Sequence, residues 1–228
     1  MSQKISSLKI TKNYYEKTSW QRGAVVCGID EVGRGCLAGP LVTGAVILPP
    51  GKSHPQLKDS KLMTPQEREK AFLWIKKHCW YSVGIINNRL IDEHNIWQAT
   101  ILGMKKALVH LLASCPLTPE CILIDAVPLN LFDTGLGHIP TYSFTQGERK
   151  SSSIAAASIV AKVTRDHMMA KYATLFPSYH LQKHKGYSTQ SHKLAINTHT
   201  HSIIHRVSFL TNIVTPQESD YAEQQTIC

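Results

Sequence analysis

What this chain of 228 residues lacks narrows its class before any motif is considered. Its six cysteines, Cys27, Cys36, Cys79, Cys115, Cys121 and Cys228, form no Cys-x-x-Cys pair and no Cys/His block with zinc spacing. A disulfide framework and a zinc finger are thereby set aside, and a reducing compartment is indicated. No stretch approaches the uninterrupted apolar length of a membrane span. The first twenty residues, polar and basic, lack the apolar core of a signal peptide. The expectation is a cytoplasmic protein with no membrane partner. Acids are scarce, 16 Asp and Glu against 25 Lys and Arg, for a formal net charge of +9. Such a balance favours a polyanionic partner, nucleic acid first among them, and says nothing about fold. Internal repeats are absent too.

What is present begins with an apolar run, Ala24–Cys27, that leads into Gly28-Ile29-Asp30-Glu31-Val32-Gly33-Arg34-Gly35. The run reads as a buried strand over Ala24–Asp30. Neighbouring side chains on a strand point to opposite faces. Asp30 and Glu31 therefore share a centre only if the backbone bends after the strand, and the glycines that follow would permit the bend. Arg34 adds a fork of donors beside the acid pair. Carboxylates without His or Cys suit a hard divalent cation. The segment reads as one end of a metal-dependent nuclease site.

Leu41–Leu48 reads as a second strand, the hairpin partner of the first. Thr64-Pro65-Gln66-Glu67 has the form of a capping box with proline at the first helical position, opening a helix to about His78. Trp80–Ile86 is a third strand. Two helices follow, Asn87–Asn95 and Ile96–Ser114. Glu120–Ala126 is a continuous apolar strand ending in Asp125, as suits a strand covered on both faces. Ile139–Thr145 is the fifth strand and Ser151–Leu175 a long helix. Strands and helices in this order give a mixed sheet with helices on its faces. Ligands of such sheets gather at the carboxyl ends of strands, where Asp30 and Asp125 both fall; they converge if their strands are neighbours. Ala155, Ser158, Lys162 and Asp166 share one face of the long helix. The last two form either a surface pair or part of the site.

These blocks resemble the type 2 ribonuclease H family, ribonuclease HII. Asp30–Gly35 with Leu37-Ala38-Gly39-Pro40 is similar to its first block, and Leu57-Lys58-Asp59-Ser60-Lys61 to a second. Ile124-Asp125-Ala126 is similar to a third and Ile154–Asp166 to a fourth. His184-Lys185-Gly186-Tyr187 and His205-Arg206-Val207-Ser208-Phe209 resemble the closing blocks. The resemblance spans about residues 24–210.

The resemblance implies an α/β protein of ribonuclease H-like fold, a five-stranded mixed sheet flanked by helices with a helical C-terminal region. It divides the chain into an arm (1–23), one catalytic domain (24–212, helical from about 176) and a tail (213–228). It implies a metal-dependent endonuclease acting as a monomer. Its substrates are the RNA strand of RNA–DNA hybrids and single ribonucleotides in duplex DNA, and its products carry 5′-phosphate and 3′-hydroxyl ends. Two Mn²⁺ or Mg²⁺ ions are implied, with Asp30, Glu31 and Asp125 as ligands. The fourth carboxylate is expected at Glu148, where the family usually has Asp after Gly, with Asp166 replacing or assisting it. Gly33, Arg34 and Gly35 would grip the ribose 2′-hydroxyl, and Lys162 would contact substrate. Tyr187 would stack on the following deoxyribose. A resolvase-like nuclease of the same superfamily, a type 3 ribonuclease H and a basic module without catalysis are the competing readings.

Overall fold

Apolar runs separated by turns become a single five-stranded sheet in the computed structural model, which describes residues 11–58, 60–211 and 213. The strands are β1 (Val26–Val32), β2 (Leu41–Ile47), β3 (Trp80–Ile86), β4 (Cys121–Asp125) and β5 (Thr141–Phe144), in the order β3-β2-β1-β4-β5. β1 pairs antiparallel with β2, and β2 with β3. β4 runs parallel to β1 and to β5. The expected adjacency of the first and fourth strands is thus present, with Ile29 opposite Ile124.

β4 is apolar at every position before Asp125 because each of its faces meets a helix layer. Ile122 and Ile124 join Cys27, Ile29, Met104 and Leu108 under helix α3 (Asn88–Ser114). Cys121 and Leu123 turn to the other face, with Val26, Phe144 and Ile154. The period of two along each strand is what sorts these sets. Asn95 interrupts α3 with a φ of 64°, and its Oδ1 accepts from the amides of Trp97 and Gln98. The residues therefore form two helical segments, as their pattern predicts, joined at a left-handed asparagine.

On the opposite face lies α5 (Ser152–Leu175), whose first ten residues are small or aliphatic and all buried. Their size permits close approach. A Cβ on Gly28 of β1 would lie 2.1 Å from the Ser153 carbonyl carbon, so any larger residue would push helix and sheet apart. Helix α2 (Pro65–His78) opens with the expected capping box, formed by Thr64 and Glu67. Ahead of the sheet, α1 (Tyr14–Gln21) is a docked element. Its buried Glu16 accepts from the Ser151 hydroxyl and the Ser153 amide, and Asn13 Oδ1 accepts from the Ser152 amide at 2.8 Å. The first helix and the residue before it thus add to the Ser151 cap of the fifth, taking up the Ser152 and Ser153 amides.

One expectation needs correction. The first strand does not stop at Asp30 but runs on to Val32, so the chain turns only after it, at Gly33–Gly35, and not at the acid pair. Within the expected N-terminal arm, Tyr14–Gln21 form a packed helix, because Glu16 satisfies amides that α5 cannot satisfy itself. The tail from 214 and Asp59 lie outside the described residues. Among the described residues no helix is long and apolar enough to cross a membrane.

Candidate active site at the carboxyl end of the sheet

The pleat of β1 separates the two acids. Gly28 faces α5, so Asp30, two residues on, faces it as well, and Glu31 turns to the other side. Asp30 is 6% exposed, accepts from the Glu31 amide at 2.7 Å and receives the Ser158 hydroxyl of α5. Ser158 is in turn bonded to Ser60 at 2.8 Å. Glu31 reaches Arg34 at 3.4 Å. Asp125 closes β4, one step beyond the Ile29–Ile124 pair, and so falls beside Asp30. Its Oδ1 accepts the Gly147 amide at 2.7 Å, the first residue of the short helix α4 (Gly147–Lys150). Buried Glu148 is the next residue of that turn. Neighbouring parallel strands thus bring Asp30 and Asp125 side by side without a bend, Glu31 lies across the pleat within electrostatic reach of them, and Asp125 ties α4 to the pair.

Like charges in a buried place raise one another's proton affinity. Burial, then the Glu31 and Asp125 carboxylates, hold the Asp30 carboxyl well above its usual range. Burial raises Glu31 too, against the pull of Arg34. Glu31 Oε2 is buried without a hydrogen-bond partner. Among the described residues, no group of three or more His, Cys, Asp or Glu side chains is drawn together as a finished metal cage. A cluster of carboxylates with an unpartnered oxygen nevertheless fits a hard divalent cation. Mg²⁺ in particular is held by one or two carboxylates, with water and substrate phosphate completing its shell.

Asp166 is turned elsewhere. It lies 2.8 Å from Lys162 and 4.0 Å from Arg68, in a groove between α2, α5 and α6 (Leu181–His184). The contacts of Asp30 and Glu31 do not include it. Lys162 also stands 5.6 Å over the ring of Tyr187, as does the Arg165 guanidinium. Tyr187 is half-exposed and pairs with Cys36 as an isolated antiparallel bridge. The loop after β1 and the segment 184–187 therefore meet edge to edge, with Leu37 donating to the Gly186 carbonyl at 2.8 Å.

The residues that hold this loop were quoted within motifs but given no role by sequence reasoning. Arg165 is fully buried and donates from Nε to Pro40, from Nη1 to Lys185 and from Nη2 to Ala38. Arg206, also fully buried, donates from Nε and Nη2 to Gly39 and from Nη1 to Arg34. Every acceptor is a backbone carbonyl. Burial brings Arg206 down to about 10, so it stays charged at neutral pH. Nothing in local sequence marks such residues, since all their partners but Lys185 lie more than a hundred positions away. Gly33, with a φ of +91°, sits against Arg165, where a Cβ would come within 2.4 Å of Nε. Gly35 differs: it is exposed and a Cβ there would meet nothing. The fold does not require glycine at 35, which leaves the space above it open to a ligand.

With this geometry in hand, comparison with known proteins is informative. The family model described as Ribonuclease HII matches residues 27–212. Ribonuclease HII of Levilactobacillus brevis is 43% identical over 197 residues, covering 86% of this chain and 73% of that protein. The crystal structure of the ribonuclease H2 from Pyrococcus horikoshii OT3 is similar with a TM-score of 0.68 at 27% identity, over 81% of this chain and 93% of that one. Bst-RNase HIII in complex with Mn²⁺ is similar in fold, with a TM-score of 0.55 at 21% identity, over 75% and 64% of the two chains.

Proposed function

The chain belongs to the ribonuclease HII family, and from that premise we propose which of its residues carry the reaction and how. It is an endoribonuclease that hydrolyses the RNA strand of RNA–DNA hybrids. Asp30, Glu31, Asp125 and Glu148 would hold the divalent ions, Mg²⁺ or Mn²⁺. The observation that carries this reading is the meeting of three carboxylates at the adjoining ends of β1 and β4, Asp30 buried and Glu31 and Asp125 half-buried, with one Glu31 oxygen unpartnered. When bound, a pair of such ions activates water and stabilises the leaving oxygen of a phosphodiester.

The protein's own part is to position. The Gly147 amide fixes Asp125, and the Ser158 hydroxyl fixes Asp30. The Arg165 and Arg206 clamps hold the loop so that the open side of Gly35 and the Arg34 side chain receive the ribose. The 2′-hydroxyl is the one group that separates RNA from DNA at a site, and backbone polar groups at an exposed glycine can pair with it. Tyr187, across the bridge from Cys36, offers its ring to the next deoxyribose, with Lys162 near the phosphate between. Glu148 rather than Asp166 is the fourth carboxylate, because Lys162 and Arg68 already neutralise Asp166. Hydrolysis leaves 5′-phosphate and 3′-hydroxyl ends, and lone ribonucleotides in duplex DNA are substrates alongside long hybrids.

The test uses a duplex carrying one ribonucleotide and its all-DNA counterpart, with Mg²⁺ and Mn²⁺ compared. The wild type should cut the first and only bind the second. A site built to pair with a hydroxyl rejects the analogue without it. Asp125→Asn should bind both, since affinity rests mainly on phosphate contacts, yet cut neither. Near wild-type turnover for that variant would overturn the metal-site assignment.

A further inference from the structure

Behind Tyr187 runs a line of buried histidines with a single consistent arrangement of protons. A backbone carbonyl only accepts, so His192 Nδ1, 3.0 Å from the Tyr187 carbonyl, carries a hydrogen and donates. A neutral His192 then offers Nε2 as acceptor, and His205 Nε2, 3.1 Å away, must donate to it. His205 Nδ1 is left to accept, and the Ser202 amide donates to it at 3.0 Å. His184 obeys the same logic independently. Its Nε2 donates to the Tyr179 carbonyl at 2.9 Å, and its Nδ1 accepts the Gly186 amide at 3.2 Å. No ring nitrogen of the three is idle.

The environment keeps these rings neutral. His192 and His205 are 0% and 1% exposed, and burial brings both down to about 4. His184 stacks on His192 with ring centroids 4.3 Å apart, and Tyr179 lies against His205 at 4.7 Å. Among the described residues none of the three hydrogen-bonds or ion-pairs with a carboxylate. A second proton on His192 would set two N–H groups against each other across the contact with His205.

The turn these bonds hold needs holding. Lys185 and Gly186 both have positive φ, 51° and 84°, just ahead of Tyr187. His184 secures the turn from before and His192 secures Tyr187 itself, while helix α7 (Gln190–His199) carries His192.

We propose that His184, His192 and His205 are positioning residues that fix the Tyr187 backbone so that its ring stands ready for the deoxyribose following a ribonucleotide. The inference rests on the reading of Tyr187 given above. None of the three touches substrate; they act through the Tyr187 carbonyl and the Gly186 amide.

Two substrates separate positioning from folding: a duplex with one ribonucleotide flanked by DNA, and a long RNA–DNA hybrid. His192→Phe keeps an aromatic ring of similar size but removes both hydrogen bonds. It should lower kcat on the first substrate about tenfold, as expected for a lost buried hydrogen bond, and leave the hybrid within about twofold. His205→Gln retains a donor near the position of Nε2 and should recover most of what His205→Leu loses. Equal losses on both substrates, or an unchanged ratio in folded His192→Phe, would overturn the inference. Tyr187→Ala is the control. If it spares the ratio, the reading of Tyr187 fails and the inference with it; if it shifts the ratio and the histidine variants do not, the positioning role alone fails. Long-range ¹H–¹⁵N spectra of the wild type give a check free of mutation. They should show His192 protonated on Nδ1, and His184 and His205 on Nε2; the opposite tautomer at His192 would overturn the proton arrangement and the proposal built on it.

Discussion

At the carboxyl ends of β1 and β4, a buried and two half-buried carboxylates gather, burial and mutual repulsion raise the proton affinity of Asp30 and Glu31, and the Glu31 Oε2 oxygen is left unpartnered. On the loop that follows β1, two fully buried guanidinium groups donate into five backbone carbonyls: those of Pro40, Lys185, Ala38, Gly39 and Arg34. Both regions bury charge of one sign. One leaves a carboxylate oxygen without a partner, and the other is complete within the chain. The contrast separates binding chemistry from scaffold. Buried charge with too few partners marks where something else must come, and buried charge with all its partners marks what must not move.

The comparison breaks most sharply at Asp30. If the sheet end is truly unfinished, Asp30→Asn should lower cleavage by roughly a thousandfold, about 4 kcal/mol of barrier. The same change should raise the melting temperature of the metal-free protein, since it removes one of three repelling carboxylates. A lower melting temperature would show that the cluster supports the fold. Arg206→Met tests the other side. It leaves the Arg34 and Gly39 carbonyls without their donors and should cost about 3–4 kcal/mol of stability by urea denaturation. A loss below about 1 kcal/mol would mean that the clamp is dispensable.

Glu148 and Asp166 sharpen the contrast further, since one borders the unfinished site and the other is already paired. Glu148→Gln should reduce kcat about a hundredfold, near 3 kcal/mol, with Glu148→Asp active. Asp166→Asn should lose only a few-fold, because Lys162 rather than metal is its partner. The reverse order would make Asp166 the fourth ligand.

The smallest effect concerns pH. His192 and His205 sit near 4 in the folded chain, below the ordinary value of 6.5. A histidine lowered on folding binds its proton more tightly when unfolded. Its contribution is complete above about 6.5 and is lost as pH falls toward 4. The two should together remove on the order of 4 kcal/mol of unfolding free energy between pH 7 and pH 5, about 2 from each. Asp30, raised on folding, works in the opposite direction. The histidine part is therefore read as the difference between wild type and the double variant His192→Phe, His205→Leu. Parallel pH curves for the two proteins would contradict it.

Much of this was legible in the sequence where the cause is local. The apolar run 121–124, the capping box at Thr64 and the small residues of α5 each carry their own signal, and the structure places them as read. The convergence of Asp30 and Asp125 needed only the adjacency of two strands. The end of β1 was misjudged because the glycines after Val32 looked like the cause of a bend. Pairing with β2 through Val32 carries the strand past both acids, and the position of Asp125 makes a bend unnecessary. The arginine clamps and the histidine line were beyond reach. Each works through main-chain carbonyls or ring nitrogens whose partners sequence spacing cannot reveal.

The clamps also set an order of assembly. The loop that Arg206 secures is synthesised near the beginning of the chain, and Arg206 itself near the end, 167 and 172 positions after the carbonyls it binds. Contacts of such separation form late, because closing a long stretch of chain costs entropy before any bond returns it. A nascent chain still on the ribosome can pair its first three strands, yet the loop beside the acids gains its Arg165 bonds only after α5 and its Arg206 bonds only after the last helical segment has emerged. A fragment that ends before Arg206 thus holds the acids and the sheet but lacks the donors that tie down the Arg34 and Gly39 carbonyls.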